Sequence, residues 1–460
     1  MAGRERMASM DAAWLQMEEP ANLMMITAVL WFDGAVDLER LRAVVRERLV
    51  ERYPRFRQRV VPGPLGAPHW EDAPDFELEE HLSTLRVPES AGRAGLEALV
   101  GDWLGVPLER SRPLWHFHLV RGAPGGDVLL ARLHHCIADG IALARVLLSL
   151  TDPVDAGAVP ETWDESQEAV TPSEPERRPG APGWLRFARG ARSALRKGAE
   201  MVREPILAGD LVREGAKGAA ALGKLLVLPP DPRSPLRGPL GPRKVAAWSE
   251  PIELERVKAV GRTLGGTVND VLLTAVTGAL RRYLATRDAP LEDVHALVPV
   301  NLRPMDVPVP RELGNRFGVV FLRLPVHLAE PRRRLREVAK RMEHLKRSPE
   351  AVVTSGVLEL LGRTPAALER AVVDVMGTKA SLVATNVPGP RQPVSLAGSR
   401  LKGLTFWVPQ AGHVGLGVSL FSYSGQVTVG VASDASRVPD PGALVAAFQE
   451  ELDALATMAP

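Results

Sequence analysis

The chain contains little of what a secreted or membrane-spanning protein needs. It has one cysteine among 460 residues, which excludes an internal disulfide and is typical of a reducing compartment. No stretch reaches the roughly 18 uncharged apolar residues of a membrane-spanning helix. The first residues carry charges but lack the apolar run of a secretory signal. We therefore expect a cytoplasmic protein whose contact with membranes is peripheral.

An excess of charge of one sign is also missing. The 57 lysines and arginines nearly balance the 55 aspartates and glutamates, which leaves a net charge of +2. This balance does not favour nucleic acid as a partner. Hydrophobic residues make up 45% of the chain, enough for one large core or two medium ones.

The most informative stretch is LHHCIADG, residues 133–140. The apolar segment before it predicts a β-strand, and the apolar spacing of residues 141–150 predicts a helix. His134 and His135 therefore lie where a strand ends and a helix begins. We expect Gly140 to allow a sharp turn that a residue with a Cβ would resist.

One of the two histidines can act as a general base, because the ordinary pKa of imidazole lies near neutrality. Asp139 either orients the imidazole or holds the loop through an ion pair with an arginine, and we favour the second role. A metal site is disfavoured, because neighbours on a strand point to opposite faces and no second cysteine exists. We interpret Cys136 as a small buried residue and not a nucleophile. The alternative of a purely structural histidine pair is weakened by the accompanying Asp and Gly.

The segment HHCIADG matches the HHxxxDG signature of CoA-dependent acyltransferases of the chloramphenicol acetyltransferase-like superfamily. The superfamily includes nonribosomal peptide condensation domains and bacterial wax ester synthase/diacylglycerol acyltransferases. The resemblance implies an α/β fold of two such domains, each a mixed sheet flanked by helices, with the active site at their interface. It implies His135 as the base and acyl-CoA as co-substrate, with no cofactor. No metal is expected, since a thioester is already activated.

Further segments, in the same order along the chain, resemble the wax ester synthase branch. They are an early Asp-Ala dipeptide before an aromatic, Pro113-Leu114-Trp115, Asn269-Asp270, the Val-Pro-Val-Asn-Leu-Arg strand that ends at Arg303, and the Thr-Asn-Val-Pro-Gly-Pro turn. The resemblance places the Asn-Asp pair near the active site, and Asn269 is our candidate donor to an oxyanion. The alternative for this pair is capping of the helix at 267–284. We propose Arg303 as the partner of Asp139; for the Pro-Leu-Trp step, simple core packing is the strong alternative.

Three regions are predicted along the chain. Residues 1–150 form an N-terminal acyltransferase domain, residues 246–460 form a C-terminal one, and residues 151–245 form a linker rich in proline. Within the linker, 184–203 predicts a helix with a narrow apolar face and an arginine-rich face. Such a helix fits an anionic membrane surface, or else it bridges the two domains.

The resemblance implies transfer of a fatty acyl group from acyl-CoA to diacylglycerol, to a long-chain alcohol, or to both. The expected partners are these substrates and an anionic membrane or lipid-droplet surface. One alternative is a condensation-type enzyme that uses carrier-protein thioesters; a flanking carrier domain would favour it, and we recognise none. The other is a non-catalytic lipid-droplet-binding protein, which loss of a motif histidine would favour, whereas both are present. Chain-length preference and oligomeric state do not follow from the sequence.

Overall fold

The fold is built from two large mixed sheets and the helices that cover them. A computed structural model describes residues 4–63, 67–154, 228–304, 309–362, 366–410 and 412–459. The predicted helix at 184–203 lies outside the described residues. No described helix combines the length and apolar character needed to cross a bilayer.

The helices of the described residues are mostly short and amphipathic. They are α1 Ser9–Gln16, α2 Leu38–Val45, α3 Gly92–Leu104, α4 Gly140–Leu148, α5 Leu254–Leu264, α6 Val268–Ala285, α7 Pro331–Lys346, α8 Glu350–Leu361, α9 Ala366–Gly377 and α10 Pro441–Thr457. The strands are β1 Glu5–Arg6, β2 Met25–Phe32, β3 Gln58–Pro62, β4 Pro68–Asp72, β5 Leu82–Arg86, β6 Trp115–Arg121, β7 Val128–His134, β8 Asp152–Pro153, β9 Lys244–Trp248, β10 Ile252–Glu253, β11 Val294–Asn301, β12 Phe317–Leu324, β13 Leu382–Pro388, β14 Val394–Leu396, β15 Ser399–Trp407, β16 Leu416–Tyr423 and β17 Gln426–Asp434.

The first sheet has the strand order β5-β6-β7-β2-β15-β14-β8, and it contains the strand that carries the histidine motif. The second has the order β10-β17-β16-β13-β11-β12, with β9 also paired to β17. Each sheet mixes parallel and antiparallel neighbours: β13, for example, runs parallel to β11 and β16, whereas β12 runs antiparallel to β11. The predicted fold class, two mixed sheets flanked by helices, is confirmed.

The boundary that we placed at residue 246 does not separate the two sheets cleanly. Strands β14 and β15 come from the second half of the chain, yet β15 pairs with β2 in the first sheet. Val394–Leu396 and Ser399–Trp407 therefore lie in the first sheet, although they belong to the second half of the chain. The chain crosses over directly after the Val-Pro-Gly-Pro turn, where proline removes the backbone donor that a continuing ladder would need.

Helix α6 is buried along most of its length in the second half of the molecule. It begins with a capping box: the hydroxyl of Thr267 accepts from the Asp270 backbone N–H (3.2 Å), and the Asp270 carboxylate accepts from the Thr267 N–H (2.9 Å). This arrangement satisfies two otherwise unpaired N–H groups at the helix start. Asp270 therefore has the capping role that we weighed as the alternative to substrate binding.

Candidate active site

His135 stands one residue beyond the end of β7, held at the edge of the first sheet. Its backbone N–H donates to the carbonyl of Met24 at 2.8 Å, which continues the pairing of β7 with β2 for one more residue. Helix α4 starts five residues later and draws the chain away from the sheet. The imidazole is therefore carried by a backbone with little freedom to move.

The side chain of His135 lies in the wall of a large apolar cavity. The cavity encloses about 1480 Å³ of empty space, its open mouth included, and both halves of the chain contribute to its lining. Its polar lining residues are His135, Asp139, Asn301, Thr354, Thr385 and Asn386. The remaining lining comes mainly from α1, α8, α9 and one face each of β11, β12 and β13. Such a lining suits a hydrocarbon chain with a few polar contacts at one place.

Aromatic rings enclose the imidazole. Trp14 stacks on His135 with ring centroids 4.0 Å apart and an interplanar angle of 22°, and Phe317 lies at 5.6 Å. Only 4% of His135 is exposed. Burial lowers the pKa of His135 to about 3 because the charged form loses its water. The ring is therefore neutral at physiological pH, with one ring nitrogen unprotonated.

Asn315 ties His135 to the second half of the chain. Its side-chain amide donates to the backbone carbonyl of His135 (2.7 Å), and its backbone and amide N–H groups both donate to one oxygen of Asp11 (2.8 Å each). Burial raises the pKa of Asp11 to about 6 although Asn315 stabilises the carboxylate. Our list of site residues contained neither Asp11 nor Asn315 nor Trp14. The available signal for Asp11 and Trp14 was that both lie in the early Asp-Ala segment that resembles the family.

His134 points away from the cavity and makes structural contacts. Its Nδ1 accepts from the backbone N–H of Cys136 (3.0 Å), and its Nε2 lies 3.0 Å from a carboxylate oxygen of Glu18. Burial would raise the pKa of Glu18, but hydrogen bonds and charge from His134 and Arg110 outweigh it and lower the pKa to about 2. His134 therefore anchors the start of the loop. Burial raises the pKa of Cys136 far above its ordinary value, so its thiol stays protonated and unreactive.

Asp139 holds the loop and not the imidazole. One carboxylate oxygen caps α4 by accepting from the Ala142 N–H at 2.9 Å. The other accepts from the Arg316 N–H at 3.1 Å and lies 3.5 Å from a guanidinium nitrogen of Arg303. The Asp139–Arg303 pairing that we proposed is thus present, and it connects the motif to the end of β11.

The reason that we gave for Gly140 is wrong. Its φ is not among the positive values, so no left-handed turn requires glycine there. Gly140 is instead the first residue of α4 and lines the cavity, where a Cβ would lie 3.3 Å from a methyl group of Val408. Space, and not backbone conformation, favours glycine at this position.

Asn269 is not among the cavity-lining residues. Its side-chain oxygen accepts from the side-chain amide of Asn386 (3.0 Å), and Asn386 lines the cavity. We expected Asn269 at the active site, but the side chain of Asn386 lies between Asn269 and the cavity. The sequence analysis did not single out Asn386.

The Pro113-Leu114-Trp115 step also lies outside the cavity lining. The carbonyl of Leu114 accepts from the His134 N–H (2.9 Å), and the indole N–H of Trp115 donates to the Phe56 carbonyl (2.8 Å). The core-packing alternative therefore describes this step. The Pro-Leu-Trp step leads into β6, and its hydrogen bond to His134 holds the end of the neighbouring strand β7, which carries the histidine motif.

Buried histidines make the stability of the fold depend on pH. Burial lowers the pKa of His118 and His135 to about 3 and that of His116 to about 4. The unfolded chain then binds more protons below pH ~6.5, so the stabilisation is complete above that pH and is lost as pH falls. Asp11, with its raised pKa, offsets part of this loss. We expect the free energy of unfolding to fall by about 4 kcal/mol between pH 7 and pH 5.

Urea midpoints at the two pH values measure this effect. His118→Phe should flatten the dependence, because it removes one of the three histidines, and replacement of the exposed His344 by Gln should leave it unchanged. Equal midpoints for the wild-type protein at pH 7 and pH 5 would show that burial does not hold these rings neutral.

Two mixed sheets that share an apolar cavity with a buried histidine at its wall define a condensation-type fold. The first condensation domain of the calcium-dependent antibiotic synthetase superimposes on 99% of this chain and 96% of that domain, with a TM-score of 0.61 and 17% identity. A wax ester synthase/diacylglycerol acyltransferase from Marinobacter aquaeolei VT8 superimposes over 99% of both chains with a TM-score of 0.69 and 22% identity.

Sequence comparison gives the family within this fold. The wax ester synthase/diacylglycerol acyltransferase catalytic domain matches residues 7–272, and the C-terminal domain of the same family matches residues 313–456. A Mycobacterium tuberculosis protein named as a diacylglycerol O-acyltransferase is 30% identical over 98% of this chain and 90% of its own length. Another from the same organism is 29% identical over 96% of this chain and 94% of its own. The chain belongs to the wax ester synthase/diacylglycerol acyltransferase family and is an acyltransferase.

Proposed function

We propose that the protein transfers a fatty acyl group from acyl-CoA to the hydroxyl of diacylglycerol, of a long-chain alcohol, or of both, with His135 as general base. The observation that supports it most is the neutral, buried imidazole in the wall of an otherwise apolar cavity. A neutral imidazole can take the hydroxyl proton, and the cavity can hold the hydrocarbon chain beside it.

The reaction needs one base and one set of hydrogen-bond donors. The imidazole accepts the proton of the acceptor hydroxyl as its oxygen attacks the thioester carbonyl carbon. A tetrahedral intermediate forms, and its collapse breaks the carbon–sulfur bond. The CoA thiolate leaves with the proton that His135 took up, so the base is regenerated. The mainly apolar lining of the cavity disfavours water, which limits competing hydrolysis of the thioester.

The oxyanion of the intermediate requires a donor, and we assign this role to Asn386. One of its amide hydrogens goes to Asn269 (3.0 Å), and we propose that the second donates to the oxyanion. Asn386→Ala should lower kcat by about a hundredfold while the KM for acyl-CoA changes little, because the lost contact strengthens in the transition state.

Asn269→Ala should have a smaller effect on kcat. It removes the hydrogen bond that orients the Asn386 amide but leaves that amide in place as a donor. The double variant should be no slower than Asn386→Ala alone, since both changes act on one hydrogen-bonded unit. Additive losses, or changes confined to KM, would reassign Asn386 to substrate positioning.

Purified protein assayed with labelled palmitoyl-CoA tests the proposed function directly. Hexadecanol and diacylglycerol serve as separate acceptors, and we expect labelled wax ester, triacylglycerol, or both. Transfer that occurs only from a carrier-protein thioester would favour the condensation-type alternative. Binding of lipid without transfer to either acceptor would favour a non-catalytic role.

We further propose an anionic membrane or lipid-droplet surface as a partner, because both acceptors dissolve in lipid. The sequence pattern of 184–203 supports this proposal through its arginine-rich face. Triple replacement of Arg189, Arg192 and Arg196 by Glu should release the protein from anionic vesicles. Co-sedimentation that is indifferent to salt and to this replacement would favour a bridging role for the helix.

A further inference from the structure

The apolar cavity runs along the strands of the second sheet, away from His135. Asn301 lies opposite Phe317 in the register of β11 and β12, and Phe317 is 5.6 Å from the His135 ring. Leu297 lies opposite Phe321 in the same pair, and both line the cavity. The four-residue step from Asn301 back to Leu297 spans about 13 Å at the usual rise of a strand.

The far end of the cavity floor is a row of three side chains. Leu297 is in register with Phe321 on one side and with Val383 on the other. Together with Met376 they form one apolar cluster, and Leu228 packs against this cluster from outside the cavity lining. Leu228 is the first residue that the structure describes after residue 154, and it covers the end of the cavity.

Beyond Leu297 and Val383, the cavity-facing side of β11 and the residue before β13 carry a polar cluster of His295, Ser381 and Asp231. His295 precedes Leu297 by two residues and Ser381 precedes Val383 by two, so both share the cavity-facing side of their strands. Asp231 covers both: one oxygen lies 2.6 Å from His295 Nδ1, and the other accepts from the His295 N–H (2.8 Å) and the Ser381 hydroxyl (2.7 Å). The exposed fraction of each of these three residues is 9% or less.

The segment that carries Leu228 and Asp231 is fixed at several points. The Asp231 N–H donates to the Thr378 carbonyl (3.0 Å), directly after α9. The guanidinium of Arg237 donates to the Asp231 carbonyl (2.8 Å) and to the Gly377 carbonyl (3.4 Å), and Gly377 lines the cavity. This end of the cavity is therefore closed by a hydrogen-bonded structure and not by loosely packed side chains.

We infer that Leu228 and Asp231 form an end stop that sets the length of acyl chain the enzyme accepts. The inference rests on the proposed function, in which one acyl chain enters this cavity. A chain that outgrows the cavity would have to displace Leu228 and then break hydrogen bonds of a buried carboxylate. Hydrocarbon cannot replace those bonds, so the barrier is electrostatic as well as steric.

Acyl-chain preference tests this inference. We would measure kcat/KM with octanoyl-, dodecanoyl- and hexadecanoyl-CoA at one fixed acceptor. Leu228→Ala and Asp231→Ala should each raise the ratio of hexadecanoyl to dodecanoyl transfer by about tenfold, since each newly buried methylene is worth about a factor of four in affinity. Asp231→Asn, which keeps the size of the side chain, gives a milder variant if Asp231→Ala does not fold.

His327→Ala is the matched control, because His327 contacts Asp293 in a similar His–Asp pair that does not line the cavity. It should leave the chain-length ratio at the wild-type value. A ratio unchanged in folded Leu228→Ala and in the folded Asp231 variant would overturn the end stop. A shift that appears only when the acceptor chain is varied at fixed acyl-CoA would overturn the assignment of the cavity to the acyl chain.

Calorimetric binding of the same acyl-CoA series separates this inference from the proposed function. If the wild-type protein transfers nothing but its chain-length preference in binding shifts in the variants, the end stop stands and the proposed function fails. If transfer occurs and neither preference shifts, the proposed function stands and the end stop fails.

Discussion

Replacement of His135 by alanine should lower kcat by about a hundred- to ten-thousand-fold, the usual contribution of a general base. No neighbouring group can replace it, because the other polar groups of the described cavity lining are amides, hydroxyls and a carboxylate already held by Arg303 and two backbone N–H groups. The ring is neutral and buried, so its loss removes a base without removing a structural charge. Steady-state rates with palmitoyl-CoA measure the effect.

Two other histidines serve as controls for this replacement. His118→Ala removes a buried imidazole with a similarly lowered pKa that does not line the cavity, and it should retain most of the activity. His134→Ala should lie between the two, because it leaves the largely buried Glu18 carboxylate with only Arg110 and the Met24 N–H as partners among the described residues. Wild-type turnover by a folded His135→Ala variant would refute the proposed mechanism.

Replacement of Asp139 by alanine should cost about 3–5 kcal/mol of stability and most of the activity together. The change leaves the Arg303 guanidinium, largely buried, without its carboxylate, and it removes the cap of α4. The Arg316 N–H also loses its acceptor. Urea denaturation measures the loss of stability, and steady-state rates on the same preparation measure the loss of activity.

Asp37 provides a matched control for the capping contribution. It caps α2 by accepting from the Arg40 N–H at 3.1 Å and is exposed, so Asp37→Ala should cost only about 1 kcal/mol and leave activity intact. Equal losses of stability in the two variants would mean that the ion pair with Arg303 contributes nothing beyond the cap. Unchanged stability and activity in Asp139→Ala would remove the ion-pair hypothesis altogether.

Many local elements could be predicted from the sequence because their patterns are local. The strand before His135, the helix after Gly140 and the helix at 267–284 follow from apolar periodicity. The hairpin at Ser424-Gly425 has positive φ at both residues, as its turn sequence predicts. The fold class and the family followed from short motifs in the right order.

The tertiary structure decided which of these residues meet. Asp11 and Asn315 are 304 residues apart and form their hydrogen bond only because both halves of the chain close around the histidine loop. Three further features also depend on contacts between distant segments. Strands β14 and β15 join the first sheet, Asn386 lies between Asn269 and the cavity, and Leu228 covers the end of the cavity. Periodicity assigns a side chain to a face of its own strand or helix. Which distant segment packs on that face depends on the docking of whole elements, and no local pattern encodes it.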